Sequence, residues 1–188
     1  MRISGGSKKG FHLKSPRVGD VRPTTGMIKE ALFNILPPVA GKTFLDLFAG
    51  TGSVGIEALS RGAVMAVFVE KNDILARSIQ DHIRRLEFEA NAKVIQMDMK
   101  KGILQIARLN IPFDYIFIDP PYLRGLVEDT ISRIDRAGVF KPETWIVVQH
   151  SKWEPVTLAD KRYRVEDQRT YGDSTLTFIQ INKQADEN

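Results

Sequence analysis

Asp119-Pro120-Pro121-Tyr122 follows the apolar run Phe113 to Ile118. Two prolines directly after a core strand can neither continue a sheet nor start a helix at once, so the turn they form is rigid. A rigid turn can hold the Asp119 carboxylate and the Pro120 carbonyl as two acceptors converging on one planar NH2 group. Such an amine is a poor nucleophile because its lone pair is delocalised into a ring or carbonyl. Accepting both of its N–H bonds favours the pyramidal form with an exposed lone pair and positions the nitrogen against an electrophilic methyl. Tyr122 can stack on the ring that bears the amine, a contact worth roughly 1–3 kcal/mol per base. A plain structural turn is the competing reading, and the glycine-rich stretch upstream weighs against it.

That stretch begins with Thr43 to Phe48, a short apolar run that reads as a buried strand. The chain then breaks into glycines at 50, 52 and 55 and enters a helix running to about Ser60, with Gly62 placed for a left-handed cap. Strand, glycine turn and helix N-terminus together let a backbone approach a ligand closely and offer it N–H groups. Gly50-x-Gly52-x-x-Gly55 fits a nicotinamide dinucleotide fold as well. Glu70 lies 20 residues beyond Gly50, a spacing suited to accepting hydrogen bonds from ribose hydroxyls. Asp98, after a strand at Lys93 to Met97, can accept from an adenine amino group, with Met99 or a neighbour against the ring. With Asp46 and Asp119, four consecutive strands therefore carry an acid at or near the carboxyl end. Acids that merely cap the following helix are the alternative, which suits Asp73 better than Glu70.

Positioning these groups requires a strand–helix alternation, and the chain supplies one. Val64 to Val69 is an apolar strand; Asn72-Asp73 can cap a helix whose Leu75, Ile79, Ile83 and Leu86 form one stripe, with Arg77, Arg84 and Arg85 turned to water. Helices follow at about Lys101 to Leu109 and Leu126 to Ala137, and a fifth strand at Trp145 to Gln149. Such alternation predicts an α/β fold, a mostly parallel sheet with helices on both faces and ligands outside the strand carboxyl ends. Tyr163 to Thr170, a turn at Tyr171-Gly172-Asp173 and Thr175 to Ile181 add an antiparallel hairpin. At the start, residues 1–22 read as a small hairpin or extended arm. A helix from Gly26 to Leu36 follows, stopped by Pro37-Pro38.

With 188 residues, 43% of them hydrophobic and 27% charged, the chain has ordinary globular composition and material for one core. No cysteine is present, which excludes disulfides and thiolate metal sites and suits a cytoplasmic protein. The first six residues lack a signal peptide's apolar region, and no apolar run reaches membrane-spanning length. Residues 1–30 carry seven basic and two acidic side chains, a net +5, while the remainder nets −1. A basic terminus on an otherwise balanced chain points to a polyanion partner, against the plainer reading of a solvated terminus.

At Asp119-Pro120-Pro121-Tyr122 and Asp46-Leu47-Phe48-Ala49-Gly50-Thr51-Gly52 the sequence resembles the S-adenosylmethionine-dependent amino methyltransferases. Arg22-Pro23-Thr24, Glu30-Ala31-Leu32-Phe33-Asn34, Gly55 to Ala63 and Tyr171-Gly172-Asp173 narrow the resemblance to the bacterial 16S ribosomal RNA guanine966-N2 methyltransferase family, from Met1 to about Phe178. The resemblance implies a Rossmann-like class I methyltransferase, with a mostly parallel seven-stranded sheet, an antiparallel C-terminal hairpin and a small N-terminal hairpin and helix extension. Residues 1–40 would then be an RNA-binding extension and residues 41–188 the S-adenosylmethionine-binding domain. It implies cofactor contacts at Asp46, Phe48, Gly50, Thr51, Gly52, Glu70, Asp98 and Met99, and catalysis at Asp119, Pro120, Pro121 and Tyr122. The expected partner is 16S ribosomal RNA or the small ribosomal subunit, met by a monomer; phosphate contacts fall to Arg2, Lys8, Lys9, Arg17 and Arg22. Thr24 is read as an RNA contact or a helix cap. One departure is visible: the family usually has Glu-His after the fifth strand, where this chain has Gln149-His150. The helix beginning Gly26-Met27-Ile28-Lys29 also lacks an expected arginine.

Other assignments compete with this one. A DNA adenine-N6 or cytosine-N4 methyltransferase would use the same turn, but a chain this small has no separate target-recognition domain. A non-catalytic ribosome-assembly factor would not need Asp119 and Tyr122, and a nicotinamide oxidoreductase leaves the proline turn unexplained. Protein glutamine methyltransferases usually carry Asn in place of Asp119. His12, His82 and His150 lie far apart without carboxylates at ligand spacing, so no metal is expected. His150 is placed either to line the site or on the surface. Trp145 and Trp153 fit a core or lid better than base stacking, and Phe48 and Phe117 fit the core.

Overall fold

The computed structural model describes residues 1–14, 16, 26–122, 124–158 and 160–182. Helix α1 (Gly26–Ile35) leads into strand β1 (Thr43–Leu47), helix α2 (Ser53–Ser60), strand β2 (Met65–Val69) and helix α3 (Asp73–Arg85). Strand β3 (Ala92–Ile95), helix α4 (Met99–Leu109), strand β4 (Phe113–Ile118) and helix α5 (Leu126–Ala137) continue the alternation. Strands β5 (Phe140–Ser151), β6 (Tyr163–Tyr171) and β7 (Ser174–Ile181) close the chain. The sheet order is β3-β2-β1-β4-β5-β7-β6. The first five strands are parallel, and β7 inserts antiparallel between β5 and the edge strand β6.

Two cores sandwich the sheet because strand side chains alternate between its faces. On one face Phe44, Phe68, Phe117 and Phe178 meet Ile28 and Leu32 of α1, Ile56 of α2 and Ile79 and Ile83 of α3. On the other, Leu45, Val67, Ile116 and Val148 meet Ile103 and Ile106 of α4 and Ile131 and Ile134 of α5. Along α3 the predicted stripe of Leu75, Ile79, Ile83 and Leu86 is buried, and Arg77, Arg84 and Arg85 are exposed. The N-terminal arm joins the first core through Ile3 and Leu13. It doubles back as a narrow hairpin, with an antiparallel bridge from Arg2 to His12. The Ile3 N–H donates to the Phe11 carbonyl at 3.0 Å and the Gly10 N–H to that of Ile3 at 2.9 Å.

What fastens the arm is Glu57 on α2, whose side chain is wholly buried. Its carboxylate accepts from the Ser4 N–H at 2.9 Å and the Ser4 hydroxyl at 2.8 Å. It also pairs with Lys29 of α1 at 2.9 Å and with Arg61 at 3.0 Å. Burial acts to raise its pKa, but the Lys29 and Ser4 donors outweigh that and hold it below the ordinary glutamate value. The ammonium of Lys29, itself only 3% exposed, also donates to the Arg2 carbonyl at 2.6 Å.

Most element boundaries fall within a residue or two of the sequence expectation, and three of the differences have a visible cause. Strand β3 ends at Ile95 rather than Met97, because the Met97 N–H turns back to the Ile95 carbonyl at 3.0 Å. Helix α4 consequently starts at Met99, two residues early. Strand β5 begins at Phe140, well before Trp145. Pairing of Phe140 with Phe113, and a 2.6 Å bond from the Thr144 hydroxyl to the Phe113 carbonyl, recruit a stretch containing Pro142 and a positive-φ Glu143. No strand pattern exists there to be read.

Candidate active site

The carboxyl ends of β1, β2 and β4 converge on the glycine turn. Beyond β1 the chain adopts positive φ at Phe48, Gly50 and Gly52, at 61°, 55° and 73°. At Gly52, which precedes the first turn of α2, an added Cβ would also lie 2.9 Å from Ile79 Cγ1, so the turn's course requires glycine. Phe48 holds a backbone conformation unfavourable for a bulky residue and is half-exposed, which withdraws it from a purely core role. Thr51 is buried behind the turn.

Two acids brace this loop. Glu70 accepts the Gly50 N–H at 2.7 Å on one oxygen and the Asn72 N–H at 2.7 Å on the other. Each oxygen keeps a second lone pair, so the fixed carboxylate remains able to accept from a sugar diol. Asn72, not Asp73, caps α3 through the Leu75 N–H at 3.2 Å. Asp46 is 2% exposed and accepts the Gly55 N–H at 2.9 Å. Burial pushes the Asp46 carboxyl up, the Gly55 bond opposes this, and the nearby Asp119 and Glu70 charges push it further. Asp46, Glu70 and Asp119 therefore form one electrostatic group, as the strand-end pattern anticipates. Asp98 departs from it: with β3 ended early, it is exposed and caps α4 through the Lys101 N–H at 3.2 Å, with Met99 buried behind it. The helix-capping alternative describes that carboxylate's present contact.

Asp119 follows β4 with its N–H directed to the Leu47 carbonyl at 3.4 Å, which seats the proline turn beside the β1 end. Pro120 is buried and Tyr122 half-buried. The Tyr122 hydroxyl lies 2.8 Å from Ser174 Oγ and accepts from Gln149 Nε2 at 3.2 Å. Neither contact was legible in the sequence, since Ser174 lies 52 residues away and joins the site only through the β7 pairing. Gln149 is 6% exposed, and its Oε1 is buried with no hydrogen-bond partner among the described residues. A neutral amide at this depth carries no charge that burial would penalise.

His150 belongs to neither place considered for it. It is buried at 2% exposure, between the Ser151 carbonyl at 2.9 Å and the Thr177 hydroxyl at 2.8 Å. Alternation puts it on the sheet face opposite Gln149. Trp153 is 72% exposed beyond the end of β5 and so is no core residue. Among the described residues, no cluster of three His, Cys, Asp or Glu is arranged to hold a metal ion.

The candidate RNA contacts divide. Arg2 and Lys9 are exposed on the arm. Lys8 pairs with Glu87 at 3.1 Å and lies over the Phe88 ring at 5.8 Å, just past the C-terminus of α3. That end is about 20 Å along the helix from the Asn72 cap, at a rise of about 1.5 Å per residue. Arg17, Arg22 and Thr24 lie outside the described residues.

A family model described as Conserved hypothetical protein 95 matches residues 1–180. The chain belongs to this family. YlbH of Bacillus subtilis is 34% identical over 186 residues, spanning 97% of this chain and 98% of that protein. The Escherichia coli protein named ribosomal RNA small subunit methyltransferase D is 35% identical over 150 residues, 79% of this chain and 74% of that one. A solved Escherichia coli structure superposes with a TM-score of 0.88 at 29% identity, covering 98% of this chain and 99% of the other. That Escherichia coli structure thus shares the whole architecture described above, and the seven-stranded sheet is the Rossmann-like methyltransferase fold.

Proposed function

We propose that this protein transfers a methyl group from S-adenosylmethionine to the exocyclic N2 of a guanine in 16S ribosomal RNA, guanine966 in the family's assignment. The observation that carries the reading is the proline turn itself. Asp119 and Pro120 sit beside the Asp46–Glu70 group, and the Tyr122 ring is held from β5 and β7. Family membership supports the same activity, since the Escherichia coli relative bears a ribosomal RNA methyltransferase name.

The braced glycine turn and Glu70 fit a nucleoside with a free ribose diol, and the half-exposed Phe48 supplies apolar surface nearby. Bound there, S-adenosylmethionine supplies an electrophilic methyl carbon on a sulfonium. The protein's own part is to hold the acceptor. Asp119 and the Pro120 carbonyl accept the two N–H bonds of the guanine amine, and Tyr122 stacks on the base. Held by Asp119 and Pro120, the amine nitrogen would take up the methyl carbon that the bound donor supplies, the carbon–sulfur bond breaking with its electron pair left on sulfur. The extra proton on nitrogen then leaves to Asp119 or to water. The base must first be unstacked, which is least costly in a loop or an exposed site of the subunit. Residues 1–40 act as the RNA-binding extension, through Arg2, Lys8, Lys9, Arg17, Arg22 and Thr24. Ribosomal RNA as substrate puts the reaction in the cytoplasm.

The test is methyl transfer from labelled S-adenosylmethionine to naked 16S RNA, unmodified small subunits and duplex DNA, with Asp119→Ala beside the wild type. Label on guanine N2, reduced at least about 100-fold in the variant, is expected. Label on DNA alone would replace this reading with a DNA amino methyltransferase. Cofactor binding without transfer to any substrate would favour an assembly factor.

A further inference from the structure

We propose that Trp153, with Lys152, is a second RNA-contact site that stacks an unpaired nucleotide flanking the target base; this rests on the RNA reading above. The indole is 72% exposed, although a tryptophan contributes most to stability when buried. Its backbone is nevertheless tightly held. The Trp153 N–H donates to Ser151 Oγ at 3.2 Å, and the Glu154 N–H donates to the Ser151 carbonyl at 3.0 Å. On one side the Lys152 N–H donates to the Asp173 carbonyl at 3.0 Å, tying the loop to the β6–β7 turn. On the other, the Glu154 carboxylate accepts the Gly125 N–H at 2.8 Å, tying it to the segment that follows Asp119-Pro120-Pro121-Tyr122.

The loop therefore bridges the two segments that flank Tyr122. Ser151 pairs with Ser174, and Ser174 holds the Tyr122 hydroxyl. A rigidly mounted, solvent-facing aromatic at the rim of a site that takes a flipped-out base is a stacking platform. Lys152 adds charge of the right sign, its ammonium 4.8 Å from the indole centroid and paired with the exposed Asp173 at 2.7 Å. Exchanging that solvent-exposed carboxylate for a phosphate costs little, because surface pairs are weak. Trp153 lies at the carboxyl end of β5, whereas Lys8 is tied beyond the far end of α3. RNA reaching both would cross the catalytic edge rather than dock on the arm alone.

Trp145 and Trp153 are the chain's two tryptophans, so Trp145→Phe leaves Trp153 as sole indole reporter. Titrating that variant with single-stranded oligoribonucleotide should quench its fluorescence, and Trp153→Ala should weaken RNA binding roughly ten-fold, with Trp153→Phe restoring most of it. In methyl transfer, Trp153→Ala should raise KM for RNA by a similar factor and leave KM for S-adenosylmethionine and kcat at saturating RNA within about two-fold. Unquenched fluorescence with unchanged RNA affinity would overturn the proposal. So would a loss confined to kcat or cofactor KM, which would make the loop a structural support. Quenching and affinity loss without methyl transfer by the wild type would uphold the contact and count against the catalytic reading instead.

Discussion

Replacing Glu57 by glutamine keeps the side chain's shape and removes its charge. The carboxylate is wholly buried and accepts from Lys29, Arg61, the Ser4 N–H and the Ser4 hydroxyl. Glutamine can satisfy only part of that set, because one of its two oxygens becomes a donor. It also strands the Lys29 ammonium at 3% exposure, leaving it the Arg2 carbonyl as a neutral partner. Breaking a buried pair from one side costs about 3–5 kcal/mol, against a total stability of about 5–15 kcal/mol. At about 2–4 °C per kcal/mol for a chain this size, the melting temperature should fall by roughly 6–20 °C. Adding Lys29→Met should recover most of the loss, since the stranded charge goes with it. The pH dependence gives an independent sign. Because the folded pKa of Glu57 is depressed, its contribution is complete above the unfolded value of about 4.3 and is lost as pH falls through the lower folded value. The stability gap between wild type and Glu57→Gln should therefore be constant near neutrality and close in acid. Calorimetric or denaturant melts of the four proteins of the cycle measure all of this. A single variant within about 1 kcal/mol of wild type, or a double variant no better than Glu57→Gln, would refute the view that this carboxylate fastens the arm.

Tyr122→Phe removes the hydroxyl held by Ser174 and Gln149 but keeps the stacking face, so methyl transfer should fall less than about ten-fold, and Tyr122→Ala should cost a further factor from lost stacking. Equal losses in steady-state kinetics would show that the ring does not stack. At Gly55 an added Cβ would lie 2.3 Å from Phe68 Cε1 in the core. Gly55→Ala should push α2 off the sheet, costing about 1–3 kcal/mol in denaturant melts, and weaken cofactor binding measured by calorimetry, because the glycine turn leads into α2. If about five of the basic residues of the first 30 engage phosphates, log RNA affinity should fall with log salt at a slope of roughly −4, and a slope near zero in filter binding would remove that assignment.

Local pattern determined a large part of this protein. The alternation of apolar runs and amphipathic helices, the proline stop after α1 and the glycine punctuation between β1 and α2 are short-range signals, and the elements formed where they point. The strand-end acids at 46, 70 and 119 were legible for the same reason, since a parallel sheet brings all its carboxyl ends to one edge whatever the loops do. Asp98 shows the limit of that logic. One backbone bond from Met97 to Ile95 ended β3 early and turned a strand-end acid into a helix cap. Only tertiary structure could decide partners distant in the chain. Ser4 and Lys29 reach Glu57, Ser174 and Gln149 reach the Tyr122 hydroxyl, and Trp153 is presented to solvent rather than packed inside. Each depends on how separate elements stack across the sheet, and residue type and spacing along one chain carry no record of that distance.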